Sequence, residues 1–277
     1  MSIKAIFSDM DDTLLVDIST TTQTNLEAIE RAIESGIKFV PTTGRALGDI
    51  PQQIFDIKGL EYLILSTGAS VYDVKNKQFI YNQYMDKELI IDILKKDYMQ
   101  DVCYFAMING KSCYQRSLFD LVKGTSFYDM LLTFAEFNAT IVDNLFDEIC
   151  KEDSHLQKVV LFFNNSEQMF NVINSTQELL EFDCASSYEH NLEITQKDTN
   201  KAQGIKFLCD RLGITTDEIA TIGDSGNDIA MLEMCDNSYA VDNAMALVKK
   251  SAKHIAPANT DNGVAYVIEK CLSDYKN

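Results

Sequence analysis

The sequence is short of positive charge: 24 Lys and Arg residues stand against 42 Asp and Glu residues, which gives a formal net charge of −18. This balance argues against nonspecific nucleic-acid binding, which depends on Lys and Arg against phosphate, and against binding to an anionic membrane surface. The chain also lacks any apolar run long enough to span a membrane. We therefore expect neither a nucleic-acid nor a membrane partner. If the substrate is an anion, local cations must overcome the field of the whole chain.

Closely spaced cysteine pairs are also missing. The seven cysteines include no Cys-x-x-Cys pair, and an odd, scattered set is typical of free thiols in a reducing compartment. The N-terminal apolar stretch, residues 3–8, is too short for a secretory signal and runs directly into acidic residues. We therefore expect a cytoplasmic protein.

Several sequence patterns for other chemistries are absent. The chain has neither a Walker-type phosphate loop nor a Gly-x-Gly-x-x-Gly motif, so nucleotide-driven and dinucleotide chemistry lack support. The three histidines have no metal-ligand spacing. A calcium loop of the EF-hand type is excluded as well, because the sixth position counted from Asp9 is Leu14 rather than Gly and the twelfth is Thr20 rather than Glu.

Both ends of the chain alternate between strand and helix patterns. Short apolar runs at 3–8, 37–41 and 62–66 are separated by stretches of helical periodicity, and the alternation resumes after residue 201. Such alternation predicts a parallel sheet with helices on both faces. We therefore predict an α/β protein whose Rossmann-like, three-layer parallel-sheet core is built from residues 1–83 and 191–277.

The middle of the chain lacks this regular alternation. Hairpin patterns occur instead, and Asn109-Gly110 between two apolar runs predicts a type I′ turn. Helical stretches are interspersed among these strands. We therefore predict an inserted α+β cap domain over residues 84–190.

Acidic residues follow two of the predicted core strands. Asp9, Asp11 and Asp12 come directly after the first strand, and Asp224 and Asp228 follow a later one. The carboxyl ends of parallel strands meet at one edge of a sheet, so these acids are expected to lie together. Clustered carboxylates suit a hard cation, and Mg²⁺ is the usual choice. The alternative for Asp12 and Asp228 individually is a solvated turn or a helix N-cap, where Asp is common.

Four short motifs follow one another along the chain: Asp9-Met10-Asp11-Asp12-Thr13-Leu14, Thr43-Gly44-Arg45, Lys201, and Gly223-Asp224-Ser225-Gly226-Asn227-Asp228. With the inserted domain between the second and the third, this order resembles the haloacid-dehalogenase-like superfamily of phosphohydrolases, and specifically its Cof-type branch. The resemblance covers essentially the full length. The stretches Asp242-Asn243-Ala244 and Asp261–Ala265 also resemble this branch.

The resemblance implies a role for each motif residue. Asp9 is the nucleophile that forms an aspartyl-phosphate, and Asp11 is the general acid and base. The Mg²⁺ ligands are the Asp9 carboxylate, the Asp11 backbone carbonyl and the Asp224 carboxylate, with Asp228 supporting the metal in the second shell of contacts. The phosphoryl oxygens are bound by Thr43, the Gly44 amide, Lys201 and Asn227.

The expected function is that of a Mg²⁺-dependent phosphatase acting on a small phosphorylated metabolite, such as a sugar phosphate, with the inserted domain as a substrate-specificity lid. Two alternatives stay open: a phosphomutase of similar architecture, and a non-catalytic sensor of a phosphate ligand. One position departs from the branch, which often carries Asn-Gly-Ala after the third strand, whereas this chain has Thr67-Gly68-Ala69. Thr67 lacks the amide group, so the resemblance gives no prediction for substrate contacts at this position.

Overall fold

The computed structural model describes residues 2–274 of the 277-residue chain. Its strands are β1 (Ala5–Ser8), β2 (Lys38–Pro41), β3 (Tyr62–Leu65), β4 (Ser70–Asp73), β5 (Gln78–Asn82), β6 (Cys103–Ile108), β7 (Lys111–Tyr114), β8 (Thr140–Ile141), β9 (Leu156–Phe162), β10 (Phe182–Ala185), β11 (Asn191–Gln196), β12 (Ile219–Gly223), β13 (Ser238–Val241) and β14 (His254–Ala256).

The helices alternate with these strands at both ends of the chain. They are α1 (Gln23–Glu34), α2 (Gln52–Phe55), α3 (Lys87–Leu94), α4 (Arg116–Phe119), α5 (Ser126–Phe137), α6 (Leu145–Cys150), α7 (Ser166–Ser175), α8 (Lys201–Leu212), α9 (Ile229–Glu233), α10 (Ala246–Ser251) and α11 (Gly263–Asp274). Within residues 2–274, no helix combines the length and the apolar character needed to cross a membrane.

The described residues divide into two compact units, and the first of them, here called the core unit, holds the parallel sheet. Of the described residues it comprises 2–44, 50–81 and 200–274. Its five-stranded sheet has the order β14-β13-β12-β1-β2, and β1 and β12 are buried along their whole length. Short, almost wholly apolar runs of this kind are typical of parallel strands covered on both faces. The predicted α/β fold with a parallel-sheet core is therefore confirmed.

Helices and a second, smaller sheet complete the core unit. Helix α1 begins after Thr22, whose hydroxyl accepts the N–H of Asn25 at 3.1 Å and so caps the helix. It packs against α11 and β2, while α8 packs against α9 and β3. Strand β3 joins the β2 edge through one parallel bridge between Thr42 and Ile64, and then pairs with β4 in a three-stranded sheet that also contains β5.

The second unit, here called the inserted unit, has its own sheet and its own apolar core. The six strands lie in the order β10-β11-β9-β6-β7-β8, and every pair except β7 with β8 is antiparallel. Along β9, Val159 and Leu161 belong to one apolar cluster and Val160 and Phe162 to another. This alternation is that of a strand covered on both faces.

The bounds of the inserted unit differ from the predicted 84–190. The unit comprises Arg45–Asp49 and Asn82–Thr199. Strand β11 belongs to it rather than to the core, because it pairs with β9 and β10. The segment Arg45–Asp49 joins it because the Gly48 N–H donates to the Gly110 carbonyl at 3.1 Å and the Ser112 hydroxyl donates to the Asp49 carboxylate.

The turn between β6 and β7 has the predicted form. Asn109 and Gly110 have φ values of +54° and +76°. Both central residues of a type I′ turn require positive φ, and the pair Asn-Gly accommodates it at low cost. The local sequence therefore determined this hairpin.

Candidate active site

The two acidic loops lie at one edge of the core sheet. The first acidic loop (residues 9–15) follows β1, and the second acidic loop (residues 224–228) follows β12. These strands are parallel neighbours, with Ser8 beside Ile222, and the Asp9 N–H donates to the Ile222 carbonyl at 2.9 Å. Because both strands run in the same direction, their carboxyl ends bring Asp9 and Asp224 to the same place.

The other neighbour of β1 carries the threonine of the second motif. The Thr42 N–H donates to the Ser8 carbonyl at 2.7 Å, which keeps this segment parallel to β1 up to the loop. Thr43 is fully buried, and its N–H donates to the Ile64 carbonyl at 2.9 Å. Gly44, which follows it, is half-buried. Three adjacent strands of the core sheet therefore end in motif residues.

Lys201 is a fully buried lysine at the start of α8. Asn200 caps this helix, because its side-chain oxygen accepts the Gln203 N–H at 3.1 Å. The Lys201 Nζ lies 2.6 Å from Asp9 Oδ1 and 2.6 Å from Asp228 Oδ1. A buried ammonium requires such partners, because an unpaired charge away from water is costly. Lys201 therefore joins the first acidic loop to the second.

A tight turn at residues 66–68 supports the start of α8. Gly68 has φ +94°, and a Cβ at this position would lie 2.0 Å from the Asn200 carbonyl oxygen, so only glycine fits. Thr67 has φ +57°, a left-handed conformation that is unfavourable for a β-branched residue. Its N–H donates to the Thr43 carbonyl at 3.0 Å. The backbone of this turn thus connects Thr43 with the residues that lead into Lys201.

Asp228 is buried, and both of its carboxylate oxygens are used. Oδ1 accepts from Lys201, while Oδ2 accepts from the N–H groups of Asp224 at 2.9 Å and Ser225 at 3.0 Å. Gly223 leaves room for this arrangement, because a Cβ there would lie 2.5 Å from Asp228 Cγ. The glycine before Asp224 is therefore required by the folded-back side chain of Asp228, which orients the second acidic loop.

Thr13 is a contact residue to which the sequence assigned no role of its own. It is fully buried, and its hydroxyl donates to Asp224 Oδ1 at 2.8 Å. This bond joins the two acidic loops directly. The first motif indicated that Thr13 lies near the site, since it follows three acids. Its partner could not be identified, because that depends on which strands are neighbours.

The remaining predicted residues lie within the same two loops. Asp11 is half-buried in the first acidic loop. Asn227 is buried in the short helical turn Gly226–Asp228, where its side-chain oxygen accepts from the Ser225 hydroxyl at 3.1 Å. Asp12, whose role the sequence left open, is exposed and has φ +53°.

Burial and mutual repulsion perturb the titration of the buried acids. Burial raises the pKa of Asp9 well above its usual range, the charges of Asp228 and Asp224 raise it further, and Lys201 opposes them. Burial and the charge of Asp228 raise the pKa of Asp224 to about 7, although hydrogen bonds from Thr13 and Asp9 and the charge of Lys201 act in the opposite direction. Binding of a proton or of another cation among these carboxylates is therefore favourable.

The pKa of Lys201 is also raised, and for a lysine this favours the charged form. Burial alone would lower the pKa of Lys201, but the carboxylates of Asp228 and Asp9 outweigh it, so the pKa is raised above the ordinary value. Lys201 is therefore charged at neutral pH. One ammonium nevertheless faces three carboxylates, which leaves excess negative charge in a buried cluster.

The donor set fits a divalent cation. Carboxylate oxygens of Asp9, Asp224 and Asp228 lie within 4.8 Å of one another, and all three residues are buried. Oxygen donors with this charge suit a hard cation such as Mg²⁺, and a bound cation removes the repulsion that raises the acids' pKa values. Asp9 and Asp224 are the candidate direct ligands, because Asp228 already binds Lys201 and two backbone N–H groups.

Comparisons with known proteins find a family and several related proteins. Residues 6–268 match the family model described as haloacid dehalogenase-like hydrolase. The chain is 26% identical to the 5-amino-6-(5-phospho-D-ribitylamino)uracil phosphatase YwtE of Bacillus subtilis strain 168, over 98% of this chain and 99% of that protein. It is 27% identical to the phosphatase YwpJ of the same strain, over 98% of this chain and 100% of that protein.

A solved structure shares the fold. A haloacid dehalogenase-like hydrolase from B. subtilis superposes on the chain with a TM-score of 0.83 at 24% identity, and the match covers 96% of this chain and 99% of that one. At this level of identity the likeness supports the fold alone. The solved structure therefore supports the fold, and the family rests on the sequence match over residues 6–268.

Proposed function

The chain belongs to the haloacid dehalogenase-like hydrolases, and on that premise we propose that it is a Mg²⁺-dependent phosphatase that cleaves a small phosphomonoester through a phosphorylated Asp9. The family and the curated relatives make the chain a phosphatase-type hydrolase; the metal, the substrate and the residue roles are our proposal. The observation that carries it is the buried contact of Lys201 with both Asp9 and Asp228 beside Asp224.

In this proposal, Asp9 is the nucleophile and Asp11 is the general acid and base. A carboxylate oxygen of Asp9 forms a bond to phosphorus while the bond from phosphorus to the leaving oxygen breaks, which gives an aspartyl-phosphate. Asp11 donates a proton to that leaving oxygen. In the second half, Asp11 takes a proton from the water that attacks the phosphorus, and release of inorganic phosphate restores the Asp9 carboxylate.

Fixed donors bind the phosphoryl oxygens. We assign this role to Thr43, the Gly44 N–H, Asn227 and Lys201. An ammonium has three donors, and Lys201 contacts Asp9 and Asp228; in this proposal its remaining donor binds a phosphoryl oxygen. Donors held in place stabilise charge that develops in the transition state. Because uncatalysed phosphate-monoester hydrolysis is extremely slow, the assembly must supply on the order of 20 kcal/mol.

The cation completes the charge balance. Asp9 and Asp224 would hold Mg²⁺ through their carboxylates and Asp11 through its backbone carbonyl, while Asp228 supports the loop that carries Asp224. When bound, the cation supplies positive charge that favours ionised Asp9 and neutralises charge on the phosphoryl group. The proposal is supported by the excess of buried carboxylates over ammonium groups in this cluster.

We assign the choice among phosphomonoesters to the inserted unit. Its sheet carries a buried ion pair, Lys158 with Glu193 at 3.0 Å, and the Ser187 hydroxyl donates to Glu193 at 2.6 Å. Buried ionic groups contribute little to stability compared with apolar residues of similar size, and we assign this pair to the recognition of a polar group of the substrate. The relative YwtE is named for a phosphorylated ribityl compound, which makes that compound the first candidate substrate.

The test is a phosphate-release screen with Mg²⁺ and with a chelator. The panel contains 5-amino-6-(5-phospho-D-ribitylamino)uracil, sugar phosphates, nucleotides, flavin mononucleotide and pyridoxal phosphate, and Asp9→Asn serves as the inactive control. We expect phosphate release from at least one ester, and none after chelation. A phosphate moved to another position of the substrate without release would identify a phosphomutase. No turnover despite Mg²⁺ and ligand binding would identify a sensor.

A further inference from the structure

Two asparagines outside the four motifs hold the backbone of the first acidic loop. Asn243 follows β13, and its side-chain Nδ2 donates to the Asp12 carbonyl at 2.7 Å. Asn259 follows β14, and its side-chain Nδ2 donates to the Leu15 carbonyl at 2.9 Å. Both come from the opposite end of the chain. The shape of the first acidic loop therefore depends on these two side chains as well as on β1.

The two asparagines are also bound to each other. The Asn259 N–H donates to Asn243 Oδ1 at 2.9 Å, so the Asn243 side chain donates at one end and accepts at the other. Only an amide side chain offers both functions in this geometry. Aspartate lacks the donor, and alanine lacks both groups. We call Asn243 and Asn259 the asparagine clamp.

The clamp binds the loop at a strained residue. Asp12 has φ +53°, a left-handed conformation in which the Cβ crowds the following carbonyl oxygen. The Met10 carbonyl accepts the N–H groups of Leu14 at 2.9 Å and Leu15 at 2.8 Å, which closes the turn from within. The bond from Asn243 holds the Asp12 carbonyl from outside. Strain of this kind persists where the surroundings fix it.

Asp9 and Asp11 depend on the clamp to different degrees. The Asp9 backbone is fixed by its bond to the Ile222 carbonyl, and its carboxylate is fixed by Lys201 at 2.6 Å. Asp11 directly precedes Asp12, so the backbone conformation at Asp12 sets the orientation of the peptide that follows Asp11. The carbonyl of that peptide is the proposed Mg²⁺ ligand, so the rates below are compared at saturating Mg²⁺. Loss of the clamp should therefore disturb Asp11 and spare Asp9.

We infer that Asn243, held by Asn259, is a positioning residue that keeps Asp12 in the left-handed conformation and so directs the Asp11 carboxyl toward the leaving oxygen. The inference rests on the proposed function, because it needs Asp11 as the general acid. It predicts that removal of Asn243 weakens protonation of the leaving group while attack by Asp9 on phosphorus continues.

Rapid-quench kinetics with two leaving groups test this inference. In Asn243→Ala, phosphoenzyme formation should slow by about 10–100-fold with the best alkyl phosphate of the panel, which is part of the full effect of a general acid. It should slow by less than about 3-fold with p-nitrophenyl phosphate, whose leaving group needs little protonation. Asp242→Ala is the matched control, because this exposed neighbour pairs with Lys249 at 3.1 Å instead of with the loop; both of its rates should be unchanged.

A second substitution separates positioning from general damage. Asp12→Gly in the Asn243→Ala background should restore most of the alkyl phosphate rate, because glycine adopts positive φ without a steric cost. If Asn243→Ala is too unstable to assay, Asn243→Asp, which keeps the size but lacks the donor, replaces it. Equal losses with both leaving groups, no rescue by Asp12→Gly, or an unchanged alkyl phosphate rate would each overturn the inference.

Crystal structures of the wild type and of Asn243→Ala give a readout that does not depend on activity. The inference predicts positive φ at Asp12 in the wild type and a different conformation, with a turned Asp11 side chain, in the variant. An unchanged loop in the variant would overturn it. If the wild type forms no phosphoenzyme with any ester, the proposed function fails and Asp11 has no leaving group to protonate, while the structures still decide whether Asn243 holds Asp12.

Discussion

Replacing Lys201 by Met tests whether one buried ammonium holds the two acidic loops together. Met has a similar length and no charge. In the wild type, Nζ lies 2.6 Å from both Asp9 and Asp228, and the three side chains are at most 6% exposed. Removing one partner from a buried ion pair costs about 3–5 kcal/mol, because the remaining charges stay buried without compensation. At about 2–4 °C per kcal/mol, the melting temperature should fall by roughly 6–20 °C.

Calorimetric melting in a chelator is the assay, and Lys4→Met is the matched control. Lys4 pairs with Glu218 at the same 2.6 Å distance, but the Lys4 side chain is 48% exposed. Exposed pairs contribute little, so the melting temperature of this variant should not move. Mg²⁺ should restore part of the loss in Lys201→Met, since a cation compensates the same carboxylates. Equal shifts in both variants, or no shift in Lys201→Met, would refute the reasoning.

Three further predictions concern the acids and the strained turn. Asp224→Asn removes an anionic ligand, so Mg²⁺ affinity by titration calorimetry and turnover should each fall by at least about 10-fold; full wild-type activity after exhaustive chelation would contradict the metal's role. The pKa of Asp224 is raised to about 7, so the folded, metal-free protein keeps a proton that the unfolded chain has released. In denaturant titrations, the free energy of unfolding of the wild type relative to that of Asp224→Asn should therefore fall as the pH rises from about 4 to 7. A rise over this pH range would contradict the prediction. Thr67→Asn should stabilise the protein by about 0.5–1 kcal/mol in denaturant titrations, because Asn tolerates φ +57° better than a β-branched residue; Thr67→Val, which keeps the branch, should show no gain.

The general fold and the location of the two acidic loops were predictable because they follow from the order of strands and helices along the chain and from the direction of the strands. Alternating strand and helix patterns predict a parallel sheet, and parallel neighbours necessarily end at the same edge. Asp9 and Asp224 were therefore expected together, and they lie after the neighbouring strands β1 and β12. The Asn109-Gly110 turn was predictable for a different reason, because a positive φ at two successive residues restricts the residue types that form such a turn.

The contacts between the loops were not predictable from the sequence. Thr13 binds Asp224, and Asn243 binds the carbonyl of Asp12. Every residue has a backbone carbonyl, so a sequence does not indicate which carbonyl accepts a distant side chain. The assignment of Arg45–Asp49 to the inserted unit was missed for a similar reason, because it depends partly on a backbone bond from Gly48 to Gly110.

The most direct test of the central claim is to find the residue that carries the phosphoryl group. The wild type is mixed with a substrate labelled on phosphorus, quenched in acid within milliseconds, digested and mapped by peptide. The proposal predicts label on the peptide that contains Asp9, no covalent label in Asp9→Asn, and a fall in turnover of roughly 10⁴-fold or more in that variant. Label on any other residue, or substantial turnover by Asp9→Asn, would contradict the proposed mechanism.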